Sequence, residues 1–186
     1  MNKTDKEIIG KKEAVTRLID TAIEMFFADM DSFSINLLVK SAYQVISDQM
    51  KRKYGDNYYG YARVKHLVED DDYQGKVVKL FHEDASFAKH SDRRGDSEKE
   101  IEFWPDGVEL FLGLAISEYC TLFGEATNNQ KKFLQYLSYS KPEAMKEPYR
   151  TYFRSMKQAI PSVVNKETWR VIPAERFSHL ESPRYW

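Results

Sequence analysis

The fold is decided by residues 105–124, which read PDGVELFLGLAISEYCTLFG. Proline is favoured in the first turn of a helix and glycine just past its end, so Pro105 and Gly124 mark the two ends of one helix. Between them the apolar residues fall on most sides of the helix instead of forming one stripe. Such a helix needs packing partners all round, so we expect it at the centre of a helical bundle.

Five further segments are expected to form helices around this one. The first begins at Thr4, which makes a capping box with Glu7, and its apolar residues recur at helical spacing from Ile8 to about Ala28. A short link joins it to the second helix and predicts an antiparallel helical hairpin. The other four helices are predicted at residues 35–54, 73–90, 128–139 and 148–160.

The last 25 or so residues have a different character. Prolines interrupt them, and their aromatic residues are too many for a free tail: Trp169, Phe177, Tyr185 and Trp186. We expect this segment to wrap over the domain or over a second subunit. The sequence therefore predicts an all-α, single-domain helical bundle of about six helices over residues 1–186. Its core covers about 4–160, and an irregular aromatic C-terminal arm covers about 161–186.

Composition limits the possible functions. The chain has 186 residues, of which 42% are hydrophobic, enough for one sizeable core. Its 28 basic and 29 acidic residues nearly cancel, so the chain as a whole has no electrostatic attraction to nucleic acid or to an anionic membrane. The single cysteine, Cys120, lies in an apolar run and is predicted to be a buried, inert thiol. Neither a secretory signal nor a membrane span is recognisable, so we expect a cytoplasmic protein without a membrane partner.

One polar cluster is the main candidate for a catalytic or binding site. On a helix the side chains of His82, Ser86, Lys89 and His90 share one face, and Asp92 and Arg93 follow directly. Such a group suits general acid/base chemistry, a phosphate site or a two-histidine metal site. The alternative is a solvated helix end, where His90 meets the helix dipole favourably.

Several specific chemistries are excluded by spacing. No glutamate lies three residues before a histidine, and His-Glu-x-x-His, a Cys pair, a Walker loop, Gly-x-Gly-x-x-Gly and Gly-x-Ser-x-Gly are all absent from the sequence. The acidic run at residues 69–72 is interpreted as charge at a helix N-terminus instead of a metal site. We therefore expect no cofactor and no metal.

A second region suggests nucleic-acid binding. Basic and aromatic side chains alternate near the end of the second predicted helix: Lys51, Arg52, Lys53, Tyr54, Tyr58, Tyr59, Tyr61, Arg63, Lys65 and His66. Such a pattern is able to hold phosphates and stack bases. The adjacent acidic run opposes it, and a solvated helix end followed by a surface loop is the alternative.

Parts of residues 12–125 resemble a widespread family of small bacterial all-helical proteins of uncharacterised function. The resemblance is carried by residues 23–27, 31, 34–35, 38–42, 87–93, 103–105 and 111–112, and at Ser86 this chain departs from the family's asparagine. More distantly, a helical hairpin with a later histidine resembles the HEPN superfamily, whose active members are ribonucleases with an arginine four to six residues before a histidine. No arginine has that spacing here, which argues against the usual nuclease centre.

Two functions remain open on the sequence. The first is a non-enzymatic regulatory or protein-interaction module that forms a homodimer and binds a protein partner. The alternative is an HEPN-like RNA- or nucleotide-binding protein, or an atypical ribonuclease. A metal-dependent hydrolase ranks third.

Overall fold

The computed structural model describes residues 6–55, 71–82, 100–101, 103–141 and 165–179, and for residues 73, 78 and 80–82 it describes the backbone alone. These residues form no strand. Their six α-helices are α1 (Lys11–Phe27), α2 (Ser32–Tyr54), α3 (Asp71–His82), α4 (Val108–Phe123), α5 (Asn128–Ser140) and α6 (Lys166–Val171). Two 3-10 helices, Pro105–Gly107 and Ala174–Phe177, complete the secondary structure of this part of the chain. The predicted all-α class is confirmed.

Helix α4 is the centre of the bundle, as its sequence predicts. It contacts α1, α2, α3 and α5, and its residues 110–120 are all buried. Pro105 opens the 3-10 turn that leads into it, and Gly124 ends it with a φ of 98°. The side chain of Leu137 lies so close to Gly113 that an added Cβ would meet its Cδ2 atom at 2.5 Å. The absence of a side chain at Gly113 therefore allows α4 and α5 to pack closely.

Helices α1 and α2 form the predicted hairpin and have the most extensive contact of any two helices in the described residues. Residues 28–31 connect them. Asp31 caps α2 by accepting a hydrogen bond from the backbone N–H of Ser34 at 2.7 Å. Asp29 has a φ of 54°, and it is the sole non-glycine residue with a positive φ among those described.

The predicted start of the first helix is wrong. Helix α1 begins at Lys11, with Gly10 as its N-cap, and not at Thr4. Glu7, expected inside a capping box, instead binds the guanidinium of Arg17, which also binds Glu13 at 2.6 Å. Because α1 begins only at Lys11, Ile8 is not part of its apolar stripe, and the side chain of Ile8 is 95% exposed. Thr4 lies outside the described residues.

The C-terminal arm packs over α5 and the end of α1. Trp169 of α6 and Phe177 of the second 3-10 helix are each 1% exposed, and their rings stack at a centroid distance of 5.9 Å. Residues 165–179 therefore cover the bundle itself, which is the first of the two alternatives expected for this arm. Helix α5 begins with a capping box between Thr127 and Gln130.

Helix α3 begins at the end of the acidic run, with Asp71 and Asp72 in its first turn. This agrees with the interpretation of the run as helix N-terminal charge. The predicted continuation to His90 and the helix predicted at 148–160 lie outside the described residues. No helix in the described ranges has the length and apolar character required to cross a bilayer.

Candidate binding clefts

The polar cluster predicted on the third helix lies almost entirely outside the described residues. This holds for Ser86, Lys89, His90, Asp92 and Arg93, whereas His82 is the last residue of α3 and only its backbone is described. Of the basic and aromatic region, residues 51–54 form the exposed end of α2, and its other members are outside the described part. Both sites stay predictions.

Two buried lysines of α5 hold the arm in place. Lys131 and Lys132 are only 4% and 6% exposed. The ammonium of Lys132 donates hydrogen bonds to the backbone carbonyls of Ile172 at 2.7 Å and Arg170 at 3.4 Å. Lys131 donates to the carbonyl of Ser178 at 3.4 Å and pairs with Glu125 at 3.0 Å. Burial lowers the pKa of Lys132 below that of a solvated lysine.

Two phenylalanines at the end of α1 meet lysines from two different elements. The ammonium of Lys166 lies 4.2 Å from the ring centroid of Phe26, and that of Lys132 lies 5.0 Å from the ring of Phe27. Both rings also pack edge-to-face against Tyr136 at 5.4 Å. These cation–π and aromatic contacts join the end of α1, helix α5 and the arm into one wall.

The larger of two adjoining clefts lies between the end of α1 and α6, and we name it the arm cleft. It has a volume of about 690 Å³ and opens to solvent. Its rim carries both signs of charge, because Lys166 pairs with Asp29 at 3.1 Å while Glu167 and Arg170 lie beside them. Asn165 and Tyr136 complete its polar lining.

The second cleft, of about 340 Å³, we name the methionine cleft. It shares Phe27, Ala28 and Arg170 with the arm cleft, and its remaining lining comes from the second half of α1, from Met30 and from the first half of α5. The lining includes Ile23, Glu24, Met25, Met30, Asn129 and Lys132. Met30 is 53% exposed, so one apolar side chain of this cleft is open to solvent.

Burial raises the pKa values of two acidic groups near the clefts, Tyr136 and Glu109. Burial, together with a smaller effect of the Glu109 carboxylate, raises the pKa of Tyr136 to about 12. Burial also raises the pKa of Glu109 itself, against the opposing effect of Lys141 and Lys166. The Oε2 atom of Glu109 has no hydrogen-bond partner within the described ranges. Cys120 is buried in α4, which confirms the predicted burial of its thiol, and this burial raises the thiol pKa to about 12.

Sequence reasoning missed the clefts because their residues come from three separate segments. The lining of both clefts lies within residues 21–30, 129–136 and 165–170. One local signal was available: Lys131 and Lys132 directly precede the apolar residues Phe133 and Leu134. Two adjacent lysines in a short amphipathic helix look like its solvated face, whereas here the arm covers that face.

Comparison of the chain with protein-family models, with curated proteins and with solved structures finds no significant match.

Proposed function

We propose that this protein is a non-enzymatic interaction module that acts as a homodimer, with the two adjoining clefts as its contact surface. The observation that carries the proposal is the shape of this surface. Two open clefts share one rim at Phe27, Ala28 and Arg170 and expose both apolar and charged groups. Enclosed pockets suit small molecules, while a broad open surface of mixed character suits a protein.

The charge of the surface supports a second copy of the chain as the partner. Glu24, Asp29 and Glu167 lie on the same surface as Lys166 and Arg170. A surface that carries both positive and negative charges can be complementary to a second copy of itself across a two-fold axis. The net charge of −1 adds almost no repulsion between copies.

The protonation states in the arm cleft support a non-enzymatic role. Tyr136 remains protonated far above neutral pH, which makes it a poor general base. Lys166 is paired with Asp29, and Lys132 is bonded to two backbone carbonyls. In the part of the chain that is described, the clefts thus offer a set of anchored groups and not a nucleophile beside a base.

The test is the molar mass of the full chain in solution, measured by light scattering over a range of concentrations. We expect a dimer that dissociates on dilution. Met30→Glu should raise its dissociation constant at least about 10-fold, because it replaces an exposed apolar side chain of the methionine cleft with a charged one. Gln44→Glu introduces the same residue on the exposed side of α2 and should leave the constant unchanged.

A monomer at every concentration would refute the proposal, as would equal effects of the two variants. An RNA-binding function is the competing result. It would appear as a mobility shift of single-stranded RNA that Met30→Glu leaves intact, in a protein that stays monomeric.

A further inference from the structure

From the exposed cations and apolar side chains at one end of the α1–α2 hairpin, we infer that this end binds the surface of an anionic membrane. We name it the basic end. Six residues supply its positive charge, and all six are exposed: Lys6, Lys11, Lys12, Lys51, Arg52 and Lys53. Its apolar groups are Ile8, Ile9 and Tyr54, which are 95%, 44% and 43% exposed. The two clefts lie toward the other end of α1, so the inference does not depend on the proposed dimer.

The hairpin brings these residues to one place. Residues 28–31 join α1 to α2, so the start of α1 lies beside the end of α2. Because α2 has 23 residues and α1 has 17, the last turns of α2 extend past Lys11 by about 9 Å. Residues 51–55 are all exposed, whereas residues 32–50 include two exposed positions, 44 and 48. The end of α2 therefore projects from the bundle and carries its side chains into solvent.

The basic end has a positive charge that the whole chain does not have. Residues 6–17 and 48–55 contain seven basic and three acidic side chains, although the chain has a net charge of −1. Two of the three carboxylates, Glu7 and Glu13, are bound by Arg17. Among the described residues, none of the six cations of the basic end has an ion-pair partner. Their charge is therefore available to anionic groups outside the protein.

The exposed isoleucines favour a membrane over a nucleic acid as the anionic partner. A nucleic acid is bound mainly through cations, hydrogen bonds and aromatic rings that stack on bases, and Ile8 and Ile9 supply none of these. A lipid surface accepts aliphatic side chains below its headgroups while lysine and arginine remain among the anionic headgroups. Tyrosine is enriched at that boundary, because its ring is apolar and its hydroxyl is polar. Ile8, Ile9 and Tyr54 beside six cations match this chemistry.

The inference departs from the absence of a membrane partner that the sequence predicted. That prediction rested on the net charge and on the lack of a membrane span, and neither applies to a local patch that binds only the surface of a bilayer. One weak signal gives marginal, reversible membrane binding, whereas an apolar group combined with a polybasic patch gives stable binding. The basic end has both signals.

Co-sedimentation of the full chain with vesicles tests the inference. We expect binding to vesicles of phosphatidylglycerol and phosphatidylcholine in equal parts, and none to phosphatidylcholine alone. The bound fraction should fall as the salt concentration rises, because salt screens exposed charges. Ile8→Asp should lower the partition coefficient at least about 10-fold, because it replaces an inserted apolar side chain with a negative charge. Val171→Asp makes a similar change at an apolar side chain that is 75% exposed on α6, and should have no effect.

A second pair of variants tests the charge. Arg52→Gln should lower the partition coefficient about 5-fold, and Arg176→Gln, at an exposed arginine of the arm, should leave it unchanged. All four replaced side chains are exposed, and circular dichroism checks that each variant keeps its helices.

Three results would overturn the inference: no binding to the anionic vesicles, equal effects within either pair of variants, or vesicle binding that Ile8→Asp does not weaken. Single-stranded RNA bound in place of vesicles, with a loss in Arg52→Gln and none in Ile8→Asp, would identify a nucleic acid as the partner and would also overturn it. The proposed dimer is tested separately, by molar mass in the absence of lipid.

Discussion

Replacing Trp169 with alanine is expected to lower the free energy of unfolding by about 3–5 kcal/mol. The indole is 1% exposed and packs against three rings: Tyr136 at 5.7 Å, Tyr139 at 5.9 Å and Phe177 at 5.9 Å. An indole buries roughly 200 Å² of surface, and at about 25 cal/mol per Å² this gives an upper value of about 5 kcal/mol. The arm cannot fill the space from elsewhere, because Lys132 fixes the carbonyls on both sides of Val171.

The assay is equilibrium unfolding in urea, followed by the far-ultraviolet circular dichroism of the helices. Val171→Ala is the matched control, since Val171 is in the same helix with a side chain 75% exposed and should change stability by less than about 0.5 kcal/mol. A loss below about 1 kcal/mol for Trp169→Ala would refute the view that the arm belongs to the cooperative core. Because α6 carries Lys166 and Arg170, the variant should also weaken the dimer if the clefts form its contact.

Two further predictions concern the core. Gly113→Ala should destabilise the protein by about 1–3 kcal/mol, measured by thermal or urea unfolding. The new methyl group would meet the side chain of Leu137 at 2.5 Å, and the cost of this overpacking exceeds the gain of about 1 kcal/mol in helix propensity. A more stable variant would show that α5 shifts freely. The free energy of unfolding should fall as the pH rises from 9 toward 12. The unfolded chain releases the protons of Cys120 and Tyr136 at their ordinary pKa values of 9.0 and 10.0, whereas the folded protein releases them only near pH 12. Cys120→Ala should lose less stability between pH 9 and 11 than the parent protein, measured by urea unfolding across that range, and equal losses would contradict the assignment.

The fold was predictable where the residues of a single helix indicate both its ends and its burial. Pro105, Gly124 and the apolar residues between them were sufficient to place α4 at the centre, because a helix that is apolar all round has few alternatives to full burial. The start of α1 was not predictable from the pair Thr4 and Glu7. A capping box requires the glutamate to turn back to the helix start, whereas Glu7 binds the guanidinium of Arg17.

The candidate clefts were less predictable than the fold. Asp29, Lys132 and Lys166 are ordinary charged residues in the sequence, and they meet only because α1 ends where the arm returns to the bundle. Helix α5 shows the difficulty most clearly, because two adjacent lysines, Lys131 and Lys132, indicate a solvent-exposed face of the helix. Their burial depends on backbone carbonyls some 40 residues further along the chain, and no local pattern reports such a partner.

The attachment of the arm also has a consequence for the order in which the protein matures. During synthesis, Phe133 and Tyr136 leave the ribosome before Trp169 and Phe177, which cover that side of the bundle. Until the later residues emerge, the nascent chain has an uncovered aromatic surface flanked by two lysines without their final acceptors. This side of the core is therefore completed only after Phe177 has emerged, and a chaperone that recognises exposed aromatic surface would find its binding site there before that point.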